Sequence, residues 1–170
     1  IAPHMADAHV NFGNALLALD TPGEAIEAYV KATLLEPDNA LAWFNMGNAF
    51  AEMGDHADAV DKYRRAIAIA DGAAKQFNLG NALRVLLRLD EAETAYLRAL
   101  HHDPTYLDAF INLGGVQRDM GRLTEAEATL RKALDLAPNE AELHWNLALV
   151  LLTRGDFAQG WQEYEWRWRI

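Results

Sequence analysis

Five asparagines recur along the chain at a nearly constant interval: Asn11, Asn45, Asn78, Asn112 and Asn146 stand 34, 33, 34 and 34 residues apart. Self-similarity at such a period marks one supersecondary unit that is copied and stacked, because a unit of this size cannot bury its apolar face alone. Aligning on the asparagines brings FGNAL from Phe12, MGNAF from Met46, LGNAL from Leu79, LGGVQ from Leu113 and LALVL from Leu147 into register. The copies occupy 6–39, 40–72, 73–106, 107–140 and 141–170, the last incomplete. Places within a copy are counted from its first residue.

Within each copy the apolar residues follow helical spacing. Trp43, Met46, Gly47 and Phe50 form one face, and Ala59, Tyr63, Ala66 and Ile67 form a second, so each copy is a pair of helices. The twentieth place is small (Ala25, Ala59, Ala92, Ala126, Gly160) and the twenty-fourth is bulky (Tyr29, Tyr63, Tyr96, Leu130, Tyr164). Small residues there and at Gly13 and Gly47 let the two helices approach closely. Pro37, Pro104 and Pro138 close their copies, where a helix must stop. Thr21 with Glu24, and Asp156 with Gln159, have capping-box spacing.

This pattern of a large residue, Leu-Gly, an aromatic, then Ala, an aromatic and Pro on a 34-residue period resembles the tetratricopeptide (TPR) repeat. The resemblance runs from Ala6 to Tyr164. It implies an all-α, right-handed superhelical solenoid of five antiparallel helix pairs, forming a single domain over 6–170. Ile1 to His4 read as a vector remnant, since His4-Met5 is the dipeptide a cloning site leaves.

Three positions depart from the pattern. The second copy is one residue short, with Asp71 in the proline place, which predicts a tightened or kinked junction near Ala70 to Ala73. Leu87 stands where Gly54, Gly121 and Gly155 end the first helix, and a left-handed leucine is costly, so that helix is expected to run on. Gln117 replaces an apolar residue on the buried face.

Composition narrows function. With 51% apolar residues the chain can bury a sizeable core. A net charge of −10 opposes nucleic acid and anionic lipid, and no apolar run approaches the roughly 20 residues of a membrane span. There are no cysteines, which removes disulfides, thiolate metal sites and thiol nucleophiles and fits a cytoplasmic setting. No phosphate loop, nucleophile elbow or zinc spacing occurs. His101-His102 sits at a helix end, His9 and His144 take a packing place, and the pair Glu91 and Glu93 reads as outward and solvated. No enzyme activity, cofactor or metal is expected.

A binding groove is expected instead. Stacked pairs leave the first helices lining a concave surface through places two, five, six, nine, twelve and thirteen. The sixth-place asparagines are joined in the ninth place by Asn14, Asn48 and Asn81, with Phe44 and Phe77 in the fifth and Arg84 and Arg118 in the twelfth. Asparagine is a poor helix former, so the row is either inherited or bonded to a neighbouring helix, or it presents amides to an extended peptide. The second reading predicts that Asn45, Asn78 and Asn112 keep their amides free of intramolecular partners. A carboxylate clamp for chaperone tails does not fit, since only the two arginines are cationic. The row resembles the TPR arm of O-GlcNAc transferase, which implies a protein or peptide client. The closing segment from Gly155, GDFAQGWQEYEWRWR, resembles segments leading into bacterial glycosyltransferase-like domains. As the alternative, Trp161, Tyr164 and Trp168 at i, i+3 and i+7 predict an apolar stripe on the last helix for homo-oligomer self-association.

Overall fold

The computed structural model describes residues 4–169, so the vector reading of Ile1 to Pro3 lies outside the described residues. The helices are α1 (His4–Ala18), α2 (Pro22–Leu35), α3 (Ala40–Glu52), α4 (His56–Ile69), α5 (Ala73–Val85), α6 (Leu89–His102), α7 (Leu107–Asp119), α8 (Leu123–Leu136), α9 (Ala141–Arg154) and α10 (Phe157–Tyr164). A 3-10 turn, Glu165–Arg169, follows, and no strand occurs among the described residues. Each copy is a helix pair, as the sequence predicts. The chain divides into two compact units, one up to Arg88 and one from Leu89. The first holds α1 to α5 and the second α6 to α10.

Helices of 13 to 15 residues are marginal alone, so their stability comes from burial along one face. In the first unit Val10, Ala25, Tyr29, Ala32, Ala42, Met46 and Ala49 form the core between α1, α2 and α3. In the second unit Phe110, Leu130, Leu143, Leu147 and Leu151 do the same for α7 to α9. The small-against-large pairing is explicit. A Cβ added at Gly13 would sit 2.5 Å from the Tyr29 ring, at Gly47 2.6 Å from Tyr63, and at Gly114 2.8 Å from Leu130. The glycine of the first helix is the socket for the bulky residue of the second.

The turn inside each pair is built one way in all five copies. The fifteenth place takes a left-handed backbone: Asp20 (φ 59°), Gly54 (83°), Leu87 (58°), Gly121 (76°) and Gly155 (91°). The next amide reaches back to the carbonyl five residues earlier, as Asp55 does to Phe50 at 2.9 Å and Arg88 to Leu83 at 2.9 Å, which is a Schellman closure. The expectation that the helix runs through Leu87 is therefore wrong. Its neighbours' hydrogen bonds hold the closure against the unfavourable leucine backbone. The capping boxes do not form either. The Thr21 hydroxyl donates to the Leu16 carbonyl at 2.9 Å, and Asp156 faces Arg154 at 3.5 Å, so neither side chain caps its helix.

Between copies, the fourth-place side chain ties to the proline place before it. Trp43 Nε1 donates to the Pro37 carbonyl at 2.8 Å, and His144 Nε2 lies 3.0 Å from that of Pro138. Where Asp71 replaces proline, Gln76 Nε2 donates to its carboxylate at 2.8 Å, and the Gly72 amide donates to the same oxygen at 2.7 Å. The short junction is held by side-chain bonds. Gln117 is explained as well. Buried beside Thr129, it accepts that hydroxyl at 2.7 Å and donates to Glu93 at 3.2 Å, and Glu93 pairs with Arg122. Glu93 is thus half-buried and engaged, against the reading of it as a solvated carboxylate.

Candidate binding groove

In the first unit α3 lies beside both α1 and α5, which brings sixth- and ninth-place asparagines of successive copies within reach. The Asn14 carbonyl oxygen accepts the Tyr29 hydroxyl at 2.8 Å and the Asn45 Nδ2 at 2.7 Å. One repeat later, the Asn48 oxygen accepts the Tyr63 hydroxyl at 2.9 Å and the Asn78 Nδ2 at 2.9 Å. Tyr29 and Tyr63 are each buried to the tip, and a buried hydroxyl needs a partner. The asparagine of its own pair supplies it, and the next copy's asparagine completes the arrangement.

The prediction of free amides is therefore overturned for Asn45 and Asn78, and Asn112 is not free either. The reading in which the asparagines bond a neighbouring helix holds for these pairs. Asn146 departs for a legible reason. The preceding copy has Gly115 and Leu130 where Asn and Tyr stand elsewhere, and Asn146 turns its Nδ2 to its own helix, 2.9 Å from the Glu142 carbonyl. Asn11 is exposed.

Fixing one end of each amide orients the other. Among the described residues nothing takes the Nδ2 of Asn14 and Asn48 or the Oδ1 of Asn45 and Asn78, so half-exposed donors and acceptors alternate along the face. Burial pushes the hydroxyls of Tyr29 and Tyr63 up to about 12, the Glu52 carboxylate adding to both, while the bond from Asn78 pulls Tyr63 the other way. A concavity of about 380 Å³ opens over this region, lined in part by Asn48, Asn78, Asn81, Glu52 and His56. A second, of about 420 Å³, is lined by Leu41, Phe44 and Lys75.

The other predicted residues fall less evenly. Phe44 packs 5.8 Å from the Tyr63 ring with the Lys75 ammonium 6.0 Å away, leaving one edge on the second concavity. The fifth place is not uniformly open, since Val10 and Ile111 are buried. Phe77, Asn81 and Arg84 are half-buried with partners, and Arg118 is paired with Asp119 at 3.0 Å. Sequence reasoning missed Glu52 and His56. Glu52 holds the thirteenth place, which the groove rule covers, and its negative charge was the available signal.

In the second unit the final helix ends at Tyr164, so Trp168 lies in the 3-10 turn rather than on a helical stripe with Trp161. Tyr164 is half-buried against Trp145 at 4.9 Å, and Trp166 stacks on His144 at 3.9 Å. Trp161 and Trp168 remain 55% and 74% exposed, joined by Phe157 at 61%. Among the described residues no group of metal-binding side chains occurs, and no helix is long and apolar enough to cross a membrane.

Short helix pairs repeated on a fixed period, with first helices lying side by side within each unit, define an α-helical repeat scaffold for protein interaction. The chain belongs to the tetratricopeptide repeat family, whose model matches residues 10–74, 77–141 and 116–165. It is 35% identical over 94 residues to small glutamine-rich tetratricopeptide repeat-containing protein 2 of Mycosarcoma maydis, covering 55% of this chain and 27% of that protein. The match therefore spans about a quarter of that relative's length. The fold is similar to the crystal structure of MamA (TM-score 0.90, 20% identity, 97% of this chain and 91% of that one). It is also similar to YrrB, described as a TPR protein with an unusual peptide-binding site (TM-score 0.82, 20% identity, 93% and 82%).

Proposed function

We propose that the chain holds an extended polypeptide along the asparagine-lined face of its first helices. The observation that carries this is the fixed orientation of the amides. Because Asn14 and Asn48 spend their oxygens on Tyr29, Tyr63 and the next asparagine, their Nδ2 groups face outward as donors, with the Oδ1 of Asn45 and Asn78 as acceptors between them. An extended backbone offers the complementary alternation of C=O and N–H. Neighbouring helices roughly 8–10 Å apart match about three residues of such a strand. The peptide-binding description of YrrB accords with this reading. Phe44 and Phe77 provide apolar contact, and Arg84, Asn11, Asn112, Asn146 and Arg118 extend the row in sequence.

The test is fluorescence anisotropy of a labelled, permanently unfolded polypeptide titrated with the chain. Saturable binding that is lost in Ala51→Trp, which fills the concavity of about 380 Å³ lined by Asn48 and Asn78 without replacing either asparagine, supports the reading. Binding untouched by that substitution contradicts it. The resemblance of the closing segment extends the proposal to a cytoplasmic recognition arm of a larger glycosyltransferase-like protein.

The exposed Phe157, Trp161 and Trp168 favour a second reading, in which this end packs on another copy of the chain, with Tyr164 supporting it from behind. Sedimentation of wild type against a Trp161→Ala, Trp168→Ala double variant decides it. A wild-type chain that stays monomeric across the concentration range rejects this second reading.

A further inference from the structure

We infer that the concavity lined by Glu52 selects a basic side chain, lysine or arginine, on the polypeptide in the groove. The inference rests on the groove reading above and adds a preference that uncharged asparagines cannot supply. Glu52, at the C-terminal end of α3, is exposed into a concavity of about 380 Å³. No lysine or arginine lines that concavity. Among the described residues no cation pairs with Glu52.

Other carboxylates of this chain carry an internal counterion. Glu93 is matched by Arg122, Glu127 by Arg131 and Arg154, Asp38 by Arg65 and Glu163 by His144. The Glu52 field also reaches the row itself, since it opposes ionisation of both Tyr29 and Tyr63, hydroxyls that belong to two successive repeats. A concave, partly apolar wall focuses such a field. The lining adds a neutral acceptor, the Asn78 Oδ1, which has no described partner, and among the described residues the His56 imidazole is the one other titratable group of the lining besides the Tyr63 hydroxyl. An ammonium brings three donors and a guanidinium five, and both make charge-assisted bonds to a carboxylate. An acidic side chain meets repulsion at the same place, reinforced by the net charge of −10.

The experiment uses the full chain and three labelled peptides that share one Gly/Ser/Ala backbone and differ in a single central lysine, glutamine or glutamate. At low salt the lysine peptide is expected to bind about three- to tenfold tighter than the glutamine peptide, with glutamate weakest. In Glu52→Gln the lysine preference collapses to within about twofold. In Asp61→Asn, an exposed carboxylate outside the concavity, it persists. A preference that survives Glu52→Gln, or that falls equally in Asp61→Asn, overturns the inference. Equal binding of all three peptides overturns it and leaves the groove reading standing, whereas binding by none of them overturns both.

Discussion

The Nδ2 of Asn45 donates to the Oδ1 of Asn14 across neighbouring first helices at 2.7 Å, and the same oxygen receives the hydroxyl of buried Tyr29. Tyr63, Asn48 and Asn78 repeat this one copy later. Asn146, whose preceding copy lacks both Asn and Tyr, bonds its own helix instead. The asparagine row is thus a seam between repeats before it is a surface for anything else.

Asn48→Ala removes the acceptor shared by Tyr63 and Asn78 and leaves a buried hydroxyl unpaired. A loss of about 1–3 kcal/mol is expected in urea unfolding. Asn146→Ala, with only a local bond to lose and a better helix former gained, is expected to stay within about 0.5 kcal/mol of wild type. Equal effects of the two would deny the seam.

Leu87→Gly relieves a left-handed leucine whose side chain is 81% exposed and packs on nothing essential. After the entropy that glycine adds to the unfolded chain, a net gain of about 0.5–1 kcal/mol is expected, read as a higher urea midpoint at unchanged slope. A lower midpoint would show that leucine is wanted there.

Much of this was legible from residue identity. The 34-residue period specified the five pairs, and the glycine and tyrosine places specified the packing of Gly13 on Tyr29 and Gly47 on Tyr63. What the period could not reveal was where the amides point. That depends on the distance between helices about 30 residues apart in sequence and on the need of a buried tyrosine hydroxyl for an acceptor. Leu87 was misjudged because propensity alone was weighed, whereas the backbone bonds of the closure outvote a single residue. Gln117 was opaque because its partners, Glu93 and Thr129, come from two other helices.

Gly47→Val places a Cβ 2.6 Å from the Tyr63 ring, closer than real contacts allow, and the ring must leave its socket. A loss of about 1–3 kcal/mol is expected by thermal melting. A melt indistinguishable from wild type would mean that the socket does not hold the pair.

Raising the pH tests the buried hydroxyls. Tyr29 and Tyr63 ionise near 12 in the folded chain against 10.0 when unfolded, so the folded state holds its protons while the unfolded state loses them. Stability is therefore full below pH 10 and falls as pH rises through about 12. Tyrosinate absorbance is expected to develop in two stages, the later one coinciding with loss of helical circular dichroism. A single stage near pH 10 with the helix intact would contradict the burial.

The central claim, that the asparagine face holds an extended polypeptide, is tested most directly by following the side-chain amide resonances of the isotopically labelled chain during titration with an unfolded peptide. The account predicts saturable shifts at the Nδ2 groups of Asn14 and Asn48, whose protons point outward, with smaller changes at Asn45 and Asn78, whose protons are committed to the seam. Peptide binding that moves the indole signals of Trp161 and Trp168 while those four asparagines stay still would contradict it.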